Sequence, residues 1–191
     1  MNTKTQNIRS LKEMHQRFSD KVNLSGLAEG EKVEERNLSD VEVTSLVTDS
    51  RRVTPGSAFF AIRGLRTNGE DFIADAVERG AKALIGEKIN LEENPGIAKI
   101  QVRDSRRALA KMAKRYHGSP DESINIVGIT GTNGKTTVST LTRHLLEEPG
   151  LPVGLIGTVR YHLGDRELPS FRTTPEAADL YPMLRSMLAG G

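Results

Sequence analysis

The stretch Gly128-Ile129-Thr130-Gly131-Thr132-Asn133-Gly134-Lys135-Thr136-Thr137 does most to limit what this chain can fold into. It follows the apolar run Ile124-Asn125-Ile126-Val127 and precedes an amphipathic helical pattern. Strand, glycine-rich loop and helix, in that order, make a nucleotide-phosphate site. Glycines let backbone N–H groups converge on phosphate oxygens, and the helix N-terminus adds a field that favours anions. There Lys135 sets a point charge against the β- and γ-phosphates, and the Thr136 hydroxyl coordinates Mg²⁺. The spacing departs from the strict G-x-x-x-x-G-K-[ST] form, which requires glycine where this chain has Ile129. A tight strand-to-helix turn that binds nothing is the bland alternative. Lys-Thr-Thr in register behind a strand favours a nucleoside triphosphate site.

Composition narrows the class. At 191 residues the chain holds one large or two small domains. Its 27 basic and 25 acidic residues leave a net charge of +2, mixed rather than polarised, which argues against nucleic acid as the main partner. The pairs Arg51-Arg52 and Arg106-Arg107 read as solvated surface or anion contacts. The absence of cysteine excludes disulfides, thiolate metal sites and cysteine nucleophiles. No apolar run is long enough to span a membrane, and Met1–Thr5 lacks a signal-peptide hydrophobic region, so a cytoplasmic location is expected. His15, His117, His144 and His162 have no metal-ligand spacing and read as surface or packing residues.

Residues 1–40 are polar, with Ile8, Leu11, Met14 and Phe18 at roughly helical spacing; Glu29–Arg36 reads as a charged loop. Strands are expected at Ser45–Thr48, Ala58–Ile62, Ala83–Ile85 and Lys99–Val102. A helix over Asp71–Arg79 ends at Gly80. Another, capped by Asp104, carries Leu109, Met112, Ala113 and Tyr116. Gly118-Ser119-Pro120 marks the best boundary. Beyond it come a strand at Ile124–Ile129, a helix over about Thr136–Leu146, and a buried strand Val153–Ile156 completing a parallel crossover. A hairpin turn falls at Gly164-Asp165. A last helix is expected to start at Pro175, with Thr174 as a possible cap. The segment after the boundary is short for an open parallel sheet.

Four stretches, at their observed order and spacing, resemble the Mur ligase family of peptidoglycan precursor synthesis. They are Thr48-Asp49-Ser50-Arg51, Pro55–Ala61, Gly131–Thr137 and Arg172-Thr173-Thr174-Pro175. The resemblance covers roughly residues 41–191. A sister branch shares the first pattern and a similar loop. Gly157-Thr158 followed by Thr173-Thr174-Pro175 is similar instead to the branch that extends a UDP-muramoyl dipeptide to a tripeptide.

The resemblance implies an α/β protein: an N-terminal α/β UDP-binding domain over 41–120, after a lead-in of 1–40, then the start of a P-loop parallel-sheet ATPase domain over 121–191. It implies that Thr48 and Ser50 contact the UDP end of the substrate, that Leu65, Arg66 and Thr67 form a loop touching the same nucleotide sugar, and that Thr173 and Thr174 contact the UDP-muramoyl peptide. Gly131, Thr132, Asn133, Gly134, Lys135, Thr136 and Thr137 match the ATP loop, with Lys135 in the catalytic role and Thr136 on the metal. Bland readings stand beside these. Ser50 after Asp49 is a common turn arrangement, and Thr174 before Pro175 is an ordinary helix start. Many family members carry Asp-Gly-His where this chain has Asn68-Gly69-Glu70, so the electrostatics of the 65–67 loop differ.

The implied reaction is an ATP-dependent amide ligation. The terminal carboxylate of UDP-MurNAc-L-Ala-D-Glu is phosphorylated, and the amine of a diamino acid displaces phosphate, leaving ADP and phosphate. Meso-diaminopimelate is the commoner amino acid in the family and L-lysine the other. The family is usually monomeric, without membrane insertion, and serves cell-wall biogenesis, cell shape and division. Its members also have a magnesium-binding glutamate and histidine, a carbamylated lysine, further strands and a third domain, none of which residues 1–191 supply. The chain is therefore expected to be an N-terminal portion, inactive alone. A nucleotide- or UDP-sugar-binding module without turnover and an unrelated P-loop ATPase remain the other readings.

Overall fold

A strand without polar alternation needs cover on both faces, and Ser57–Ala61 is one: every residue of it is buried. The structure, a computed structural model, describes residues 14, 17–38, 40–64, 67–90, 96–164 and 166–190. These form two compact units. One is Ser19–Tyr116; the other joins the segment ending at Phe18 to the segment starting at His117.

In chain order the Ser19–Tyr116 unit comprises β1 (Val22–Asn23), α1 (Leu24–Leu27), β2 (Lys32–Arg36), β3 (Glu42–Val43), β4 (Ser45–Val47) and β5 (Ser57–Ala61). It continues with α2 (Ile73–Glu78), β6 (Ala83–Gly86), β7 (Ala98–Val102) and α3 (Ser105–Tyr116). The main sheet is ordered β2-β7-β6-β5-β4. Strands β4 to β7 are parallel, with Leu46 beside Ala58, Ala58 beside Ala83 and Ala83 beside Ala98. Side-chain alternation divides the apolar residues between two layers. Phe59, Ala61 and Leu84 join Val47, Val53, Ala76 and Ile89 in a cluster that includes α2. Ala58, Phe60 and Ile85 alternate to the opposite face, and α3 packs on β5. Helix α3 buries Ala108, Leu109, Met112, Ala113 and Tyr116, one stripe at helical spacing. Its first turn is capped as expected, Arg107 N donating to Asp104 Oδ1 at 2.9 Å.

The expected strands of this unit are present within a residue or two. The helix expected from Asp71 instead begins at Ile73, behind a 3₁₀ turn over Gly69–Phe72. Glu29–Arg36 is not a loop: Lys32–Arg36 is β2, antiparallel to β7, with Glu35 opposite Ile100. Its charges hid it, and they suit a sheet edge, where charged side chains discourage pairing with other chains.

The second unit continues with α4 (Lys135–Leu146), β8 (Leu155–Ile156), β9 (Arg160–His162), β10 (Glu167–Pro169) and α5 (Ala177–Ala189). Its three strands form an antiparallel ribbon ordered β10-β9-β8. Met14, Phe18, Tyr161, Leu163, Leu168 and Met183 make the core, with Ile156 and Met187 against it. Met14 and Phe18 thus share a buried face, as their spacing suggested; Ile8, Leu11 and His15 lie outside the described residues. The Gly164-Asp165 turn is closed by Leu163 N to Arg166 O at 2.7 Å, Asp165 itself being outside the described residues.

The structure departs from three local expectations. Ile124–Ile129 is not a strand, and Ile126 and Val127 are 58% and 65% exposed. A parallel strand needs neighbours for its hydrogen bonds and helices over its faces. Among the described residues no strand runs beside this segment, and α4 buries none of its residues. Val153–Ile156 is reduced to β8, half-buried and antiparallel to β9, not the second strand of a parallel crossover. The last helix starts at Ala177, with Leu180 N donating to Glu176 O at 2.8 Å, so Thr174 is not its cap.

Gly69 shows how closely the chain folds back after β5. Its N–H donates to Ile62 O at 3.0 Å, and a Cβ built on it would lie 2.4 Å from Ile62 N and 2.7 Å from Ile62 O. Backbone atoms on both sides cannot yield as a side-chain tip can. Gly69→Ala is therefore expected to destabilise the chain by about 3 kcal/mol, the upper end for overpacking. Urea unfolding of the variant checks this, and an unchanged midpoint contradicts it.

Candidate functional site

Because β4 to β7 are parallel, their carboxyl ends open on one edge, where open α/β sheets bind ligands. Thr48 and Ser50 follow β4 there, and Thr67 lies in the loop after β5. Leu65 and Arg66 lie outside the described residues. Backbone groups tie the described ends of the loop: Gly64 N donates to Thr67 O at 2.9 Å, and Arg63 bridges to Asn68.

Asp49 builds the turn at the end of β4. Its Oδ1 accepts from Arg51 N at 3.0 Å, capping the 3₁₀ turn Ser50–Arg52. Its two oxygens also take Arg51 Nε at 2.9 Å and a terminal guanidinium nitrogen at 2.7 Å. This Arg51 fork holds the Asp49 carboxyl below the usual carboxylate range. Ser50 is buried, and its hydroxyl, beside the Asp75 carboxylate on α2, favours the ionised form. This hydroxyl, then Arg79 Nε at 2.7 Å, holds Asp75 below its ordinary value as well. The polar atom that closes this turn on its own backbone is thus Asp49 Oδ1, while Ser50 reaches across to α2.

Next to Thr67, a cleft of about 60 Å³ opens among Arg63, Asn68, Glu70, Glu87, Lys88 and Ser105. Its carboxylates are engaged by uncharged donors. Asn68 Nδ2 donates to Glu70 Oε2 at 3.1 Å, and Ser105 N and Oγ both donate to Glu87 Oε1 at 3.1 Å. The sequence reading missed Glu87, Lys88 and Ser105. The signal was their place directly after the apolar runs of β6 and β7, at the edge where such sheets carry their polar sites.

In the second unit, Gly131–Thr137 leads into the N-terminus of α4. Gly134 precedes the helix at φ 78°, in the left-handed region that glycine enters without strain. Lys135 lies back over the loop, its Nζ donating to the carbonyls of Gly131 and Thr132, the latter at 3.3 Å. Thr132, Asn133, Thr136 and Thr137 are exposed. Thr136, in the first turn, offers a hard oxygen suited to Mg²⁺. Among the described residues no group of three or more histidines or carboxylates is placed to hold a metal. Thr173 and Thr174 are exposed in the same unit, between β10 and α5. The predicted residues thus fall into two sets: Thr48, Ser50 and Thr67 on one sheet edge, the glycine loop and the threonine pair in the other unit.

Residues 42–117 match a family model described as the catalytic domain of the Mur ligase family, and residues 129–191 match the Mur ligase middle domain. A UDP-N-acetylmuramoyl-L-alanyl-D-glutamate–2,6-diaminopimelate ligase of Solibacter usitatus is 46% identical over 156 residues, covering 81% of this chain and 31% of that protein. The ligase of the same name from Clostridium tetani is 39% identical, covering 80% of this chain and 32% of its own length. The chain thus spans about a third of the length of the curated relatives it matches. A solved structure of a ligase of that name superposes with a TM-score of 0.66 at 22% identity, over 90% of this chain and 34% of the other, a likeness of fold.

The two depressed carboxyls set a pH dependence. A folded-state pKa below the unfolded value means that the native state binds fewer protons, so stability is present above the ordinary pKa, about 3.9, and is lost as pH falls through the folded value. Unfolding free energy measured from about pH 6 to pH 2 is expected to fall at the acid end. Asp75→Asn is expected to flatten part of that fall. An equal acid slope in both proteins contradicts the assignment.

Proposed function

Since the chain belongs to the Mur ligase family, we propose that it carries the UDP-substrate domain and ATP loop of a MurE-type ligase. The reaction is addition of 2,6-diaminopimelate to UDP-N-acetylmuramoyl-L-alanyl-D-glutamate, as the names of its relatives state for them, and we take the amino acid in its meso form. The observation that carries this reading is the glycine loop at the head of α4 with Lys135 laid across it.

In this reading the loop amides and the α4 N-terminus receive the triphosphate, and Lys135 turns from the Gly131 and Thr132 carbonyls to the β/γ oxygens. A magnesium ion at Thr136 would supply further charge neutralisation. Phosphoryl transfer depends on positioning and charge stabilisation more than on covalent help from the protein. A substrate carboxylate oxygen attacks the γ-phosphorus as the bond to the β-phosphate oxygen breaks, giving an acyl phosphate and ADP. The diamino acid's amine then attacks the acyl carbon, phosphate departs, and the nitrogen loses its proton. Thr48, Ser50 and the 65–67 loop hold the UDP end, and Thr173 and Thr174 the muramoyl peptide. The site serves peptidoglycan synthesis in the cytoplasm, with a monomeric protein.

Titration calorimetry tests the binding half. The 191-residue chain is expected to bind Mg·ATP, and Lys135→Ala to weaken that binding at least roughly tenfold, the loss typical of a charged hydrogen bond. UDP-MurNAc-L-Ala-D-Glu should bind as well, with Ser50→Ala weakening it and leaving ATP affinity unchanged. ATP binding without any UDP-muramoyl binding would point to an unrelated ATPase. Spanning about a third of its relatives' length, the 191-residue chain is expected to bind both ligands without releasing phosphate when diaminopimelate is added, and release would overturn that.

A further inference from the structure

The threonine pair has a support that neither its motif nor its relatives name. Tyr161, on the central strand β9, is completely buried, and its ring meets Phe171 edge-on at 5.2 Å. A buried tyrosine hydroxyl needs polar partners, and this one finds both in a single residue. It donates to the carbonyl of Arg172 and accepts from the Arg172 N–H at 2.9 Å. Ser170 adds a second tie, its Oγ lying 2.7 Å from Gly157 O and 3.2 Å from Arg172 O. The next two residues are Thr173 and Thr174, both exposed.

We propose that Tyr161 is a positioning residue for the UDP-muramoyl-peptide site: by gripping both backbone groups of Arg172 it presents Thr173 and Thr174 in their binding conformation. This rests on the reading above that the threonine pair contacts that substrate. The chemistry suits the task. One hydroxyl that both donates to and accepts from the same residue fixes the direction of the chain at that residue, and the rigid ring ties it to a core of Leu163, Leu168 and Met183. The chain then leaves the ribbon at a set angle. A segment ordered before the ligand arrives does not lose that entropy on binding. Phe171 and Ser170 pack or bond around the same point, so the grip belongs to the core and not to a chance surface contact.

The test is a mutant cycle read by calorimetry with UDP-MurNAc-L-Ala-D-Glu, using the 191-residue chain. Tyr161→Phe keeps the ring and removes the grip; it is expected to weaken binding roughly five- to tenfold, in line with the loss of one or two hydrogen bonds' worth of ordering. Binding of ATP should not change. Made in a Thr173→Ala/Thr174→Ala background, Tyr161→Phe should weaken binding no further, a coupling that a general loss of stability does not produce. Hydrogen exchange should show the Arg172 amide protected in the unaltered chain and released in Tyr161→Phe, with the α5 amides unchanged. If the double threonine variant binds as tightly as the unaltered chain, the reading of the threonine pair fails and the proposal fails with it. If the threonines matter but Tyr161→Phe binds normally, or weakens binding equally in both backgrounds, the positioning role alone is overturned.

Discussion

The parallel register of β4 through β7 is the constraint on which the Ser19–Tyr116 unit depends. Once Leu46, Ala58, Ala83 and Ala98 stand side by side in strands of one direction, every returning segment must cross a face of the sheet, and every loop after a strand must leave by the same edge. The crossing segments explain why β5 and β6 are buried on both sides and are written almost without polar residues. The common edge explains why Thr48, Ser50, Thr67, Glu87 and Ser105, scattered along the chain, lie at one end of the sheet. Nothing about those residues individually predicts that; the direction of the strands does.

That logic also decides what could be read from the sequence. Buried parallel strands and capped amphipathic helices have strong local signatures, so β5, β6, β7 and α3 were legible with their ends nearly right. An edge strand does not need an apolar face, and β2, written in lysine, glutamate and arginine, passed for a loop. Ile124–Ile129 failed in the opposite sense. Its apolar pattern is that of a strand, yet a pattern records what a segment can pair with, not whether a partner lies beside it. The same holds for α4, whose Val138, Leu141 and Leu145 make an apolar face that is open to solvent.

A candidate site can be proposed from sequence where a residue type is tied to a chemical task within a few positions, as with the lysine and threonines of the glycine loop. It is illegible where the task is shared across distance. Asp75 shows no sign in the sequence that its ionised form is favoured by the Ser50 hydroxyl, twenty-five positions earlier. Nothing in the sequence singles out Tyr161. Its hydroxyl acquires meaning only when the ribbon brings Arg172 across it.

The fold-back at Gly69 has a consequence for how this surface can vary. At the described residues the loop from Arg63 to Asn68 is held by peptide groups, Gly64 N to Thr67 O and Gly69 N to Ile62 O, and the Asn68 side chain caps the turn that follows. Those two ties do not depend on side-chain identity at Thr67, and exchange of the Thr67 or Glu70 side chain would leave both of them in place. A single residue that cannot change gives its neighbours the freedom to do so, and sequence drift here would retune what the edge recognises before it disturbed the sheet beneath.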